Sequence, residues 1–248
     1  MKKKAFTLVE LMVVISIISM LMTVLVPAIA KARQQGKAVV CMSNVRQLAI
    51  AADVYTQNND SYYPIAQTGN SFVSSLFTTY RWDFTIIMDW STGTKRIEPG
   101  ILWQGGTIEK IQLCPSYKFV GKDMVEYTGY NYNTSYIGHG KGEAIETPAK
   151  VTQVKRPGKC ALFGDGSEGN FGVNNFMRAP WPSKGDTFFG RWAGAQGYRH
   201  NKKTTVAYCD GSARSTGERY TDTEEAEAQN LVLGTGFLSS DNSAYDLE

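Results

Sequence analysis

The chain has 248 residues, 26 basic and 23 acidic, with a net charge of +3. That length allows one ordinary domain plus a terminal element, and the near balance of charge excludes an electrostatic case for nucleic acid, which needs a clustered basic face. Twenty-four glycines and 13 tyrosines against 8 prolines exclude a disordered composition and describe a β-rich, turn-rich fold.

Residues 2–30 read KKKAFTLVELMVVISIISMLMTVLVPAIA: three lysines, then FTLVE, then about twenty residues without charge. Three readings compete. A secretory signal peptide has a basic start, an apolar run and a small-residue cleavage site, which Ala28-Ile29-Ala30 supplies. A transmembrane anchor needs ~20 apolar residues, which Leu11 to Ala30 provide. The third reading starts from Glu10, since a carboxylate in an apolar helix costs ~2.5–3.5 kcal/mol at mid-bilayer and usually finds a partner. A cut between Ala5 and Phe6 would create an α-amine able to pair with Glu10 of a neighbouring copy. The cut would also remove Lys2, Lys3 and Lys4, freeing the helix to leave the membrane for a polymer.

The stretch KKKAFTLVEL resembles the signal of type IV prepilins and type II secretion pseudopilins. The resemblance implies that a prepilin peptidase cuts before Phe6 and methylates its new amine, that Glu10 is the assembly glutamate, and that Pro27 is the proline common partway along a pilin helix. Ala5 stands where that family usually has Gly.

Beyond Ala30 the pattern predicts a continuing amphipathic helix, because Cys41, Val45, Leu48, Ala52 and Tyr55 recur at four- and three-residue steps. Asn58-Asn59-Asp60 reads as its stop. A helix from Phe6 to Asn58 would be ~80 Å long. Pro27 and Gly36 mark a soft segment, with the alternative that Pro27 ends one helix and a second begins near Lys31. Ser61 to Gly106 reads as loops with one helix or strand, and Gly100 to Gly106 as a surface segment.

From Tyr127 the pattern turns to strands. Tyr130 to Tyr136 alternates as a strand exposing one face, Lys159 to Gly166 reads as a buried strand closed by an Asp-Gly turn, and Thr204 to Gly211 repeats that design with Ser212 to Ser215 returning as a hairpin. Gly169 to Gly197, carrying Trp181 and Trp192, is too long for an ordinary connection. Asp222 to Glu227 reads as a solvated helix start.

Candidate chemistry is sparse. His200 stands nine residues before Asp210-Gly211. Six strand residues at ~3.3 Å each hold their ends roughly 20 Å apart, which argues against a direct dyad. The segment resembles the H-x(9)-D-G block of a prepilin-like bacterial family, several of whose members also carry equivalents of Cys41 to Leu48, Cys114-Pro115-Ser116 and Asp165-Gly166. No catalytic role follows from that resemblance. His139 in Gly-His-Gly reads as a loop residue. Asp210, Asp241, Asn242 and Asp246 offer oxygen to calcium, without the spacing of an EF-hand. Cys41, Cys114, Cys160 and Cys209 lack C-x-x-C spacing; in an exported chain they are disulfide candidates with three possible pairings. No serine triad, P-loop or G-x-G-x-x-G is present.

The expectation is an α+β protein, a long N-terminal helix packed on an antiparallel sheet in the pilin-like manner. Its parts are a leader (1–5), a transmembrane and polymerisation helix (6–30), the amphipathic continuation (31–60) and a β-rich domain in the periplasm or outside the cell (61–248). The resemblance implies a filament or pseudopilus subunit rather than an enzyme, without a cofactor unless calcium. Its partners would be copies of itself, other pilin-like subunits, prepilin peptidase and an inner-membrane assembly platform. It would wait in the inner membrane and end in a periplasmic or surface filament. Lys2 to Lys4 favour an inside N-terminus, although Lys31, Arg33 and Lys37 put basic charge on the other flank. Two readings of other classes remain. Trp181, Trp192 and the tyrosines of 127–136 suggest a surface module that binds carbohydrate, and a compact polar pocket containing His200 would suggest an enzyme.

Overall fold

The computed structural model describes residues 7–104, 113–117, 129–141, 143, 145–169, 172–173, 175–183 and 190–248. Helix α1 (Leu8–Asn58) runs without interruption for 51 residues, about 75 Å. Thr7 caps its start and Asn59 its end. The helix passes straight through Pro27 and Gly36, so the two-helix alternative fails. Proline removes one donor, here the partner of the Thr23 carbonyl, and the turns on either side carry the chain across. A Cβ at Gly36 would meet nothing within 4 Å. Gly36→Ala is therefore expected to stabilise this part of the helix by about 1 kcal/mol, read as slower amide exchange around residue 36 in the detergent-solubilised chain.

The predicted apolar stripe is the face that packs. Cys41, Val45, Leu48 and Ala52 are buried and Tyr55 half-buried. This face lies across a five-stranded sheet of order β12-β11-β6-β5-β9. Its strands are β5 (Tyr130–Asn133), β6 (Ala161–Asp165), β9 (Phe176–Met177), β11 (Thr204–Tyr208) and β12 (Ala213–Thr216). All pairings are antiparallel except β5 with β9. The hairpin β11–β12 forms as its sequence predicts, turning at Asp210-Gly211 with Gly211 at φ 78°.

Four readings need correction. Residues 67–99 are not loops but a four-stranded antiparallel meander, β1 (Gln67–Val73), β2 (Leu76–Arg81), β3 (Phe84–Asp89) and β4 (Thr94–Pro99). Its Ser/Thr and aromatic side chains alternate on a sheet that is largely half-buried, which blurs the two-residue period. Gly100 leads into a 3-10 turn at Ile101–Trp103 that buries Leu102, so this is not a plain surface segment, while Gly105 and Gly106 lie outside the described residues. Strand β5 does not expose a face, because all four of its residues are buried. Tyr132 stacks on Phe163 with ring centroids 5.0 Å apart, and Asn133 Nδ2 donates to the carbonyls of Ala161 and Tyr245 at 2.8 Å. The strand ends at Asn133, Thr134–Gly138 forms a wide helical turn, and Tyr127 lies outside the described residues. Finally, helix α2 (Glu225–Ala228) is short, and Glu227 is not solvated: its carboxylate accepts the Gly190 and Trp192 amides at 3.0 and 3.2 Å.

The meander joins the sheet core through Trp82. Its ring lies 5.6 Å from Tyr132 and 5.2 Å from Phe163, and its indole N–H donates to the Asn175 carbonyl at 2.9 Å. At the far end of the meander Phe72, Val73, Leu76 and Trp90 are exposed. Two small pairings complete the domain, β7 (Glu168–Gly169) with β8 (Gly172–Val173), and β10 (Gln196–Gly197) with β13 (Thr235–Gly236).

Candidate functional site

Two features stand out, one on the surface and one buried. The first is the free half of α1. Every residue from 7 to 37 is exposed, and Cys41 is the first buried residue of the helix. Leu11 to Ala30 carries no charge and is about 30 Å long, the thickness of a bilayer core. Two of its hydroxyls are satisfied within the helix: Ser16 Oγ donates to the Val13 carbonyl at 2.7 Å and Thr23 Oγ1 to the Ser19 carbonyl at 2.8 Å. The surface offered to lipid or to another helix is thus uncharged and largely apolar.

Glu10 is the one charge between Leu8 and Ala30. Within the chain it closes a capping box: Thr7 N–H and Thr7 Oγ1 donate to Glu10 Oε2 at 2.9 and 2.7 Å, and Glu10 N–H donates to Thr7 Oγ1 at 3.3 Å. Ala5 and Phe6 lie outside the described residues.

The second feature is a cluster of Cys41, Cys114, Asp165 and His200, all buried, with their donor atoms within 4.8 Å of one another. Four separate segments supply it: the packed half of α1, the turn at 113–117, the end of β6 and the turn before β11. Cys41 Sγ lies 3.7 Å from Cys114 Sγ and 2.9 Å from Asp165 Oδ1. His200 Nε2 lies 3.5 Å from Cys114 Sγ and 3.7 Å from Asp165 Oδ2. Thr205 N–H donates to Asp165 Oδ2 at 2.8 Å, and Arg199 Nη2 stands 3.5 Å from Oδ1. His200 is placed by a two-residue turn whose central residues, Asn201 and Lys202, both have positive φ. Gly129 holds the Cys114 turn close, because its φ of 80° and a Cβ 3.1 Å from that of Cys114 leave room only for glycine.

The electrostatics of the cluster follow from its crowding. Hydrogen bonding to Cys41, then to His200, with the nearby Arg199 guanidinium, holds the Cys114 thiol well below the usual thiol range, while hydrogen bonding to Cys114, burial and the Asp165 carboxylate push Cys41 up. Burial lowers the pKa of His200, but Asp165 and Cys114 outweigh it and raise the ring to about 9. Burial likewise opposes ionisation of Asp165, and His200 with Arg199 reverse this, keeping the carboxyl below its ordinary value.

A cysteine, a histidine and a carboxylate invite comparison with a nucleophilic triad. In a triad the carboxylate sits on one ring nitrogen and the nucleophile on the other. Here Cys114 and Asp165 both approach Nε2, while Nδ1 has no hydrogen-bond partner among the described residues. The groups converge on a common point rather than forming a relay.

Sequence reasoning had noted each of these residues and missed the grouping. Asp165 reads as a turn residue but is fully buried, and Asp210 is not its counterpart. Asp210 sits at the far end of β11, where its carboxylate accepts the Ser212 N–H at 2.9 Å. The cysteines fall into two facing pairs of free thiols, Cys41 with Cys114 and Cys160 with Cys209. Asp241 turns its carboxylate to Ser243, and Asp246 lies 4.0 Å from Arg156. Neither shares a ligand cluster with Asp210 among the described residues. His139 is buried, 3.4 Å from Glu143. The tryptophans of the long connection face the domain: Trp192 is half-buried, and Trp181 donates its indole N–H to the Ser240 carbonyl at 2.8 Å.

With this geometry in place, comparison with known proteins bears on one end of the chain. Residues 1–26 match the family model described as the prokaryotic N-terminal methylation motif. The chain carries a prepilin-type signal. The methylation motif agrees with the resemblance at Lys2 to Leu11 and is consistent with a type IV pilin-like chain. It covers the capping box and most of the apolar half of α1, and it supports anchoring in a membrane before assembly. The match does not extend to the β-rich domain or the block at His200. No curated protein and no solved structure matches the chain.

Proposed function

We propose that this chain is a structural subunit of a type IV pilus-like filament or type II secretion pseudopilus. The observation that carries the reading is the division of α1. Its first half, most of which the methylation motif covers, is apolar and exposed on all sides, and its second half is packed onto the sheet. Such a helix is suited first to lipid and then to a bundle of like helices, where van der Waals packing replaces lipid contact.

In this reading prepilin peptidase cuts between Ala5 and Phe6 and methylates the new amine, and the domain stands on the periplasmic side. Pro27 lies in the exposed half, and removing a donor there loosens the helix where neighbours pack. Glu10 Oε2 serves the capping box, and its charge faces the Phe6 amine of a neighbouring copy. Of the aromatic residues that suggest a carbohydrate-binding surface, Tyr130 and Tyr132 are core residues, while Trp192 is half-buried and Trp181 exposed.

The test is the N-terminal residue and mass of the mature protein from its native membrane or filament fraction. The expected result is a chain starting at Phe6 with the mass of one added methyl group. A chain starting at Lys31 overturns the reading in favour of secretory cleavage and a released domain.

A further inference from the structure

We propose that Cys41, Cys114, Asp165 and His200 are the four ligands of a buried, tetrahedral zinc-type cation that fastens α1 to the sheet. The inference concerns the domain and stands whether or not the chain forms filaments.

The distances carry it. A tetrahedral ion with metal–sulfur bonds of ~2.3 Å and a metal–nitrogen bond of ~2.05 Å places two sulfurs ~3.8 Å apart and sulfur ~3.5 Å from nitrogen. The observed separations are 3.7 Å between the sulfurs and 3.5 Å between Cys114 Sγ and His200 Nε2. Asp165 closes on the same point from the other side, with Oδ1 at 2.9 Å from Cys41 Sγ and Oδ2 at 3.7 Å from His200 Nε2, and one donor atom from each residue lies within 4.8 Å of the others. A disulfide needs its sulfurs at about 2.05 Å and gives no reason for an imidazole and a carboxylate to converge on the same pair.

The chemistry of the donors agrees. Two thiolates, an imidazole and a carboxylate suit zinc(II), and four protein ligands with no open position mark a structural rather than a catalytic site. Binding requires both cysteines as thiolates and the imidazole neutral, and the protons these groups hold leave to solvent. Two thiolates and one carboxylate exceed the charge of a divalent ion by one, and the partly buried Arg199 beside Asp165 offsets it. Neighbouring groups support the carboxylate and one of the thiolates. The Thr205 amide and Arg199 hold the carboxylate, and the Tyr130 hydroxyl, itself a hydrogen-bond acceptor from Asn44 at 3.0 Å, lies against Cys41. The cation would tie together four segments, adding to the sheet pairing of β6 with β11 and the hydrogen bonds already between them.

The experiment uses the full chain, purified in detergent without chelator, with metal content measured by elemental analysis and cobalt(II) as spectroscopic probe. The expected results are one zinc ion per chain and, after exchange, a cobalt spectrum with thiolate charge-transfer absorption and the intense visible bands of tetrahedral geometry. Cys41→Ser is expected to remove about half of the charge-transfer intensity, having one of the two thiolates, whereas Cys209→Ser leaves the spectrum unchanged. If the Cys41 variant fails to fold, the unmodified chain decides alone. Metal-free protein with a Cys41–Cys114 disulfide in its peptide map, or a cobalt spectrum without thiolate absorption, overturns the proposal.

Discussion

Glu10→Gln is expected to give a chain that is processed and inserted like its parent yet assembles about tenfold less, a loss equivalent to ~1.4 kcal/mol per contact. The substitution is informative because Glu10 has two possible employments. Within the chain it closes the capping box with Thr7. Between chains its charge is proposed to meet the Phe6 amine. Glutamine serves at this capping position as well as glutamate, so Glu10→Gln keeps the cap and removes only the charge. Glu10→Ala removes both. If filament yield, scored by shearing and immunoblotting against total processed protein, falls equally in the two variants, the charge is what assembly uses. Normal yield for Glu10→Gln with a defect in Glu10→Ala assigns the residue to helix initiation and ends the pairing hypothesis.

Phe163→Ala has the largest expected effect on stability. Its ring lies between Tyr132 at 5.0 Å and Trp82 at 5.2 Å, where the central sheet, the meander and the packed face of α1 share one core. Removing a buried phenyl ring costs about 3–5 kcal/mol. For a chain of this size each kcal/mol lowers Tm by ~2–4 °C, giving a fall on the order of 10 °C. Near-ultraviolet circular dichroism on heating measures it, with Phe72→Ala, at the exposed tip of the meander, as the reference. A substitution there should change stability by less than ~0.5 kcal/mol. Equal shifts in the two variants would refute this account of the core.

The parts of the molecule that announce themselves in sequence are those governed by local periodicity. The apolar run, the stripe from Cys41 to Tyr55 and the hairpin at Asp210-Gly211 each depend on residues close in the chain, and each is where its pattern places it. The meander escapes because side chains such as Thr78, Thr79 and Tyr80 satisfy either a strand or a loop, and pairing with neighbours decides. The buried cluster escapes for a stronger reason. Asp165-Gly166 has the composition of a turn, and only the register of β6 against β11, with Val206 opposite Gly164, brings its carboxylate to the Thr205 amide and His200. No spacing rule connects ligands drawn from four segments. What sequence can offer is the pair of cysteines lying outside ordinary C-x-x-C spacing, a reason to ask what else is near them.

The uninterrupted course of α1 also has a mechanical meaning. Tension along the free half travels through the helix backbone and reaches the domain at Cys41, the first residue held by the sheet. From there the load enters side-on, because the helix lies across β6, β11 and β12. To pull free, the helix must slide, dragging Cys41, Val45, Leu48 and Ala52 out of their contacts together. A joint loaded in shear yields at higher force than one peeled open a residue at a time. The domain is thereby held to its helix by contacts that give way together.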